Sequence, residues 1–377
     1  MKIGYYLTSD HQIFTSKIQA MIYAQANNVE LSWYFYDNDF SRYDWSVEPS
    51  ETIDQLYDKR SRQIREEYDY VILSYSGGAD SNNILESFIR QNLHIDEIVT
   101  NWSLDISEKF LDLSGKELSA WNNNSEFELN TKHRLNYIKN KCPQTKITVN
   151  DTSGILLKNF LEDNNPEWYK TKNAVLNITG LNNYNYVQFK EIRKTLDKDK
   201  KIAFVLGIDK PILFLLGNEL KLCFTDSIVN MVYIDQHLKE YTNATPLLYY
   251  WDTDCKELLC KQAHLVLNVL KNNETCRQVW RSTDENLKRV VQEKILKNIL
   301  YKTTWNNSFY QVNKTLGDWN SQLDYWFTKG MKDSIEYKTW LEGLQQLAPK
   351  ITKFIKNGKY GPTTKTFASP LYTIGKI

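Results

Sequence analysis

The chain has 377 residues, 41% hydrophobic and 25% charged, which suggests two or three domains with a substantial core and excludes a disordered or fibrous protein. Its 47 basic and 46 acidic side chains leave a formal net charge of +1, which argues against attachment to nucleic acid chiefly through bulk charge; a local basic groove stays open. The five cysteines (Cys142, Cys223, Cys255, Cys260 and Cys276) include no CxxC pair, so neither a disulfide framework nor a structural zinc site is expected.

The N-terminus, MKIGYYLTSDHQ, has no apolar core of signal-peptide length, and no run approaches the roughly 20 apolar residues that span a bilayer. A cytoplasmic protein without a membrane partner is expected. Richness in Asn, Lys, Ile and Tyr fits an AT-rich genome, such as a viral one, in which case the compartment is the host cytoplasm.

Residues 1–68 read as an N-terminal α/β extension: a strand (KIGYYL), an amphipathic helix and a second strand-like stretch (VELSWYFY). The polar DNDFSRYDWSVEPSE reads as loop. From Thr52 to Glu67, Ile53, Leu56, Tyr57 and Ile64 fall near one face amid charges, which predicts a helix. Val71, Ile72 and Leu73 then form an unalternating apolar run, as in a strand buried on both faces of a parallel sheet. After SGGADS comes a helical stripe of Leu85, Phe88, Ile89 and Leu93, and IDEIVT reads as the next strand. Strand, tight turn, helix and strand make one βαβ unit. KITV (146–149), IAFVL (202–206), LKLCF (220–224) and VYI (232–234) are further strand candidates. The alternation predicts a doubly wound, mainly parallel α/β domain over 69–235 with helices on both faces; the Asn-rich stretch between 150 and 200 yields no reading.

Beyond 236 the strand signals fade and a mostly helical C-terminal domain is expected. Ser282 and Glu285 have capping-box spacing, and Leu287, Val290 and Val291 open a stripe that continues to Ile299. Trp319, Leu323, Trp326 and Phe327 also recur at helical spacing, whereas the tail GKYGPTTKTFASPLYTIGKI breaks pattern.

The adjacent Gly77 and Gly78 follow the most strand-like stretch of a chain with only 14 glycines. A turn there sits at the carboxyl edge of an open α/β sheet, where such sheets bind ligands. Glycines permit the tight turn and a close backbone approach to an anion. The next helix aims unpaired N–H groups and the positive end of its dipole at the same place. Ser76 and Ser81 add hydroxyls, and Asp80 beside a phosphate calls for an intervening cation, assigned to Mg²⁺. The loop is neither a Walker A sequence, since no Lys follows, nor the dinucleotide fingerprint, since the third glycine is missing.

SYSGGADS resembles the pyrophosphate loop of the N-type ATP pyrophosphatases, whose pattern is SGGxDS. That resemblance implies an adenine nucleotide alpha-hydrolase-like fold with ATP and Mg²⁺ as cofactors. It also implies phosphate binding by Ser76, Gly77, Gly78, Ala79, Asp80 and Ser81, and adenylation of a substrate oxygen with release of pyrophosphate. The helix leading into the strand, TIDQLYDKRSRQIREEYDYVIL, is similar to the one that enters the synthetase domain of asparagine synthetases. In those enzymes a second glycine- and acid-containing element lies on a later strand, and VLGIDKP (205–211) occupies the comparable place, sharing only the outline of their SGEGADE. Gly207, Asp209 and Lys210 are thereby implied as a second phosphate and metal group, with Asp80 and Asp209 on the metal and Lys210 facing the departing phosphates. Asn101 and Trp102 follow the second βαβ strand, where the family places groups near the nucleoside. The resemblance covers roughly residues 52–235.

The first residues, Met1-Lys2-Ile3, lack the N-terminal cysteine nucleophile of glutamine-dependent asparagine synthetases, and 1–68 is short for a glutaminase domain. The nitrogen nucleophile is therefore expected to be ammonia, an amine substrate, or ammonia from a separate partner. The absence of cysteine clusters lowers readings based on sulfur insertion or deazapurine nitrile synthesis. An adenylate-forming ligase or amidotransferase-like enzyme is expected, acting on a small-molecule or nucleobase acceptor, with homo-oligomers open. A nucleobase-, tRNA- or DNA-modifying enzyme on the same scaffold, which would bring nucleic acid in as a partner, and a non-catalytic nucleotide-binding module are the alternatives. Trp280, Trp305, Trp319, Trp326 and Trp340 suit core packing better than base stacking. His264, on an apolar helix face, reads as a hydrogen-bonded core residue.

Overall fold

The computed structural model describes residues 4–102, 104, 127–151, 165–170, 199–207, 212–226, 244–284, 296–304, 326–358 and 361–377. The N-terminal stretch contains β1 (Tyr5–Thr8), β2 (Ile13–Phe14), helix α1 (Lys17–Ala26) and β3 (Leu31–Tyr34), with the strands antiparallel in the order β2-β1-β3. The segment read as loop holds one short helix, α2 (Asp37–Phe40), and buries Phe40 and Trp45. Helix α3 (Ile53–Glu67) starts at a capping box: the Gln55 N–H donates to the Thr52 hydroxyl at 3.3 Å, and the Thr52 N–H donates to Gln55 Oε1 at 2.9 Å.

β4 (Tyr70–Ser74), α4 (Ala79–Arg90) and β5 (Glu97–Trp102) form the expected βαβ unit. Helix α5 (Lys132–Lys141) precedes β6 (Lys146–Asp151), and β7 (Ile202–Leu206) coincides with IAFVL. β8 (Ile212–Leu216) and β9 (Glu219–Cys223) make a hairpin, and β10 (Ala244–Leu248) follows. The central sheet has five parallel strands in the order β6-β5-β4-β7-β10. Numbered by appearance in the chain, that order is 3-2-1-4-5. β4 and β7 lie side by side at its centre, with Val71 paired to Ala203 and Leu73 to Val205. Their apolar runs are buried on both faces, since Val71, Ile72, Ala203, Phe204 and Val205 are fully inaccessible.

Two expectations need correction. LKLCF, read as a strand of the parallel sheet, is β9 and lies in a separate antiparallel sheet. The region beyond 236 contains helices α6 (Lys256–Asn272), α7 (Glu274–Arg281) and α8 (Ile335–Leu347), but strands as well: β10, the hairpin β11 (Ile355–Gly358) and β12 (Gly361–Thr364), and β13 (Tyr372–Lys376). β13 pairs with β9, so the patternless tail completes the antiparallel order β13-β9-β8. Pro246 hides β10 in the sequence; it is tolerated because, among the described residues, β10 is an edge strand with β7 as its only partner in the sheet. VYI (232–234), Glu285 and the stripe Leu287–Val291, and Trp319 and Leu323 lie outside the described residues. No helix among the described residues is long and apolar enough to cross a membrane.

A buried ion pair ties the N-terminal sheet region to the tail. Lys17 Nζ lies 2.7 Å from Asp226 Oδ2, with side-chain exposures of 2% and 0%. The Tyr6 hydroxyl donates to the same oxygen at 2.8 Å, and the Phe367 N–H donates to Asp226 Oδ1 at 3.0 Å. Burial pulls the Lys17 ammonium below its ordinary pKa, and Asp226 opposes that pull. Replacing Lys17 by Met leaves the carboxylate buried without its cation, which is expected to cost about 3–5 kcal/mol in urea denaturation. A loss below about 1 kcal/mol would show that Tyr6 and the Phe367 amide satisfy Asp226 by themselves.

Candidate functional site

β4 ends at Ser74, and the chain turns through Tyr75, Ser76, Gly77 and Gly78 into α4. Gly77 has φ +76, a left-handed conformation that costs a residue with a Cβ roughly 1–2 kcal/mol. Gly78 is the N-cap of α4 and has no side chain with which to cap it. Ser81 closes the turn from inside: its hydroxyl accepts from the Ser76 N–H at 3.3 Å and donates to the Gly78 carbonyl at 3.2 Å. Ser76 itself is exposed, and its hydroxyl accepts from the Gly78 N–H at 3.3 Å.

The loop is held from one side by a π-helical turn, Phe127–Thr131, directly ahead of α5. The Thr131 hydroxyl donates to the Ser76 carbonyl at 2.8 Å, and Asn130 Nδ2 donates to the Gly77 carbonyl at 2.7 Å. A trans peptide is planar, with C=O and N–H pointing opposite ways. Engaging these two carbonyls therefore turns the N–H groups of Gly77 and Gly78 away from the π turn. A Cβ on Gly77 would lie 2.7 Å from Thr131 Oγ1 and 3.1 Å from Thr131 Cα, so this packing needs glycine for space as well as for φ.

The structure brings Gly207 to the same place. It follows β7, and a Cβ there would lie 3.1 Å from the Ser81 N and 3.0 Å from Ile84 Cδ1. The ends of β4 and β7 thus meet at the first turn of α4. This is where the chain order of the sheet reverses, the crevice position in which open α/β sheets bind ligands. Asn101 is the penultimate residue of the neighbouring β5 and is opposite Asn150 of β6, whose Nδ2 approaches its Oδ1 at 3.5 Å. Trp102 packs on Phe127 with ring centroids 5.6 Å apart. Asp209 and Lys210, expected beside Gly207, lie outside the described residues.

Asp80 stands in the first turn of α4, half-buried. Its carboxylate accepts a hydrogen bond from the Tyr301 hydroxyl, and its main-chain carbonyl accepts from the Tyr250 hydroxyl at 2.9 Å. Burial drives the Tyr301 phenol well above its ordinary pKa, and the Asp80 charge pushes the same way, so the phenol keeps its proton and donates. Arg134 of α5 reaches Asn82 Oδ1 at 2.5 Å and Glu86 Oε1 at 2.6 Å, fastening α5 to α4. Asn130, Thr131, Arg134, Tyr250 and Tyr301 carried no sequence signal of this role: they lie 48 to 221 positions from the groups they hold.

The remaining candidates fall into the core. Trp280 and Trp340 are 3% and 4% exposed, and His264 Nε2 is 3.0 Å from the Trp45 carbonyl inside the protein. Trp305, Trp319 and the Trp326 side chain lie outside the described residues. Burial pushes the Cys255 and Cys260 thiols up to about 12 and Cys223 up to about 11, and raises the half-buried Cys142 too. Such thiols are poor nucleophiles at neutral pH. Among the described residues no group of three or more His, Cys, Asp or Glu side chains is placed to hold a metal ion. No protein-family model, curated protein or solved structure matches the chain.

Replacing Gly77 by Ala adds left-handed strain and a clash with Thr131. Together these are expected to cost about 2 kcal/mol or more in chemical denaturation. A neutral Gly77→Ala would mean that the loop is free to move off the π turn.

Proposed function

We propose that the chain binds ATP at the β4–α4 loop, transfers AMP to an oxygen of a carboxylate or carbonyl acceptor with release of pyrophosphate, and passes the activated acceptor to a nitrogen nucleophile. The finer fold reading, an adenine nucleotide alpha-hydrolase-like domain closest to that of asparagine synthetases, goes with it. The observation that carries the proposal is the meeting of the SGGADS turn and Gly207 at the reversal point of a 3-2-1-4-5 parallel sheet.

The residues fit a polyphosphate. The bend has no Cβ at Gly77 and Gly78, its carbonyls are engaged on one side, and its N–H groups turn to the other, that of Gly78 donating to the Ser76 hydroxyl. A twelve-residue helix begins there without a side-chain cap, so its dipole and first N–H groups favour an anion. Ser76 and Ser81 supply hydroxyls at the same turn. Asp80 would be repelled by phosphate oxygens in the absence of a cation, which suits a Mg²⁺ site shared with the expected Asp209. Such an ion, held by Asp80 with Asp209, would neutralise charge on the phosphates. In this reading the loop grips the outer phosphates, Asn101 lies toward the nucleoside, and Lys210 stabilises charge on the departing pyrophosphate.

The test is incubation with ATP, Mg²⁺ and panels of carboxylate and nucleobase acceptors with ammonia or amines, following AMP and pyrophosphate separately. Equal AMP and pyrophosphate are expected. Replacing Asp80 by Asn is expected to lower turnover by at least about 100-fold, the order of loss for a group that stabilises developing charge, with the circular dichroism unchanged. ADP as product, or full activity in Asp80→Asn, would overturn the assignment. Tight ATP binding with no turnover across the panel would favour a nucleotide-binding module without chemistry.

A further inference from the structure

We propose that Tyr301 is a positioning residue for Asp80: its hydroxyl holds one carboxylate oxygen so that the carboxylate meets a divalent cation in a single orientation. This rests on the reading of Asp80 as a cation ligand and extends it to a side chain 221 positions away.

Tyr301 is 1% exposed, and its ring forms a triangle with those of Tyr57 and Tyr250, each pair of centroids 6.2 Å apart. The turn that carries it is fastened to α3 and α4 at several points. The Tyr57 hydroxyl donates to the Leu300 carbonyl at 3.0 Å, and the Thr303 hydroxyl donates to Asp54 Oδ1 at 2.8 Å. Asn82 Nδ2 donates to the Thr304 carbonyl at 3.1 Å, and the Thr304 hydroxyl donates to Asn83 Oδ1 at 2.8 Å. The phenol is therefore anchored to the same helical turn that carries Asp80. The Tyr250 hydroxyl fixes the Asp80 main chain as well, at 2.9 Å.

The type of donor matters. A hydroxyl donates one hydrogen bond, adds no charge, and occupies one of about four acceptor positions on the carboxylate. Hydrogen bonds of this kind, behind a metal-binding carboxylate, fix its orientation, and their removal costs roughly 10- to 100-fold in metal affinity.

The experiment titrates Mg²⁺ into the full-length protein at fixed ATP and follows nucleotide binding by calorimetry, for the wild type, Tyr301→Phe, Asp80→Asn and the double variant. Thermal unfolding checks that each is folded. Tyr301→Phe is expected to raise the half-saturating Mg²⁺ concentration about 10-fold. Adding Tyr301→Phe to Asp80→Asn is expected to produce no further change, because the effect passes through the carboxylate. An unchanged Mg²⁺ requirement in Tyr301→Phe, with a raised one in Asp80→Asn, would overturn the positioning role and leave the site reading standing. Equal effects of Tyr301→Phe in both backgrounds would reduce it to packing. An unchanged requirement in Asp80→Asn would remove the cation reading, and this inference with it.

Discussion

Everything at the carboxyl edge of the sheet depends on two main-chain carbonyls, those of Ser76 and Gly77, being held by Thr131 and Asn130. A peptide group cannot turn its carbonyl and its N–H independently, so two side-chain donors on one side decide what the loop offers on the other. Each such hydrogen bond is worth only about 1 kcal/mol net. The strain that a residue with a Cβ would suffer at position 77 is of similar size. Glycine at 77 and the donor pair at 130–131 therefore act together on the polarity of the bend, alongside the Ser76 and Ser81 hydroxyls.

Beneath the bend lies a layer of buried hydroxyls. Tyr57, Tyr249, Tyr250 and Tyr301 are all 1% exposed or less, yet each phenol oxygen is hydrogen-bonded. The Tyr249 hydroxyl donates to the Tyr57 carbonyl at 2.8 Å and lies 2.9 Å from the Ser61 hydroxyl, which joins the 249–250 segment to α3. Tyrosine suits this layer because it fills a core with a large apolar body and brings a single polar handle that a neighbouring main chain can satisfy. In an interior of low effective dielectric an unsatisfied handle would be costly, so the network tolerates few arrangements.

The parts of the architecture legible in the sequence are those with local causes. β4 and β7 are apolar runs, α3 carries its own capping box, and the turn between β4 and α4 is marked by paired glycines. β10 is obscured by Pro246, whose missing N–H argues against a strand until it is known to lie on an edge. LKLCF reads the same whether it joins a parallel or an antiparallel sheet, because its partners β8 and β13 are fixed by pairing at a distance. At the site, Ser76 through Ser81 stand out because backbone geometry demands particular residue types. Thr131, Asn130 and Tyr301 do not, since a hydroxyl or amide donor anywhere in the chain looks like an ordinary polar residue.

This separation has a consequence for how the fold is built. The groups facing the crevice come from one contiguous strand–turn–helix unit, with Gly207 added from β7. The groups that orient them come from 130–134, 249–250 and 300–304, and the last two lie beyond the stretch read as the nucleotide domain. Tyr57 and Tyr249 tie those segments to α3, the Tyr6–Lys17–Asp226 cluster ties β1 and α1 to the segment after β9, and β9 pairs with the terminal strand β13. The loop is thus a local motif whose geometry is a property of nearly the whole chain. A fragment ending near residue 235 would keep every residue of the turn, yet lose the phenol on Asp80, the main-chain contact from Tyr250 and the edge strand that covers β7.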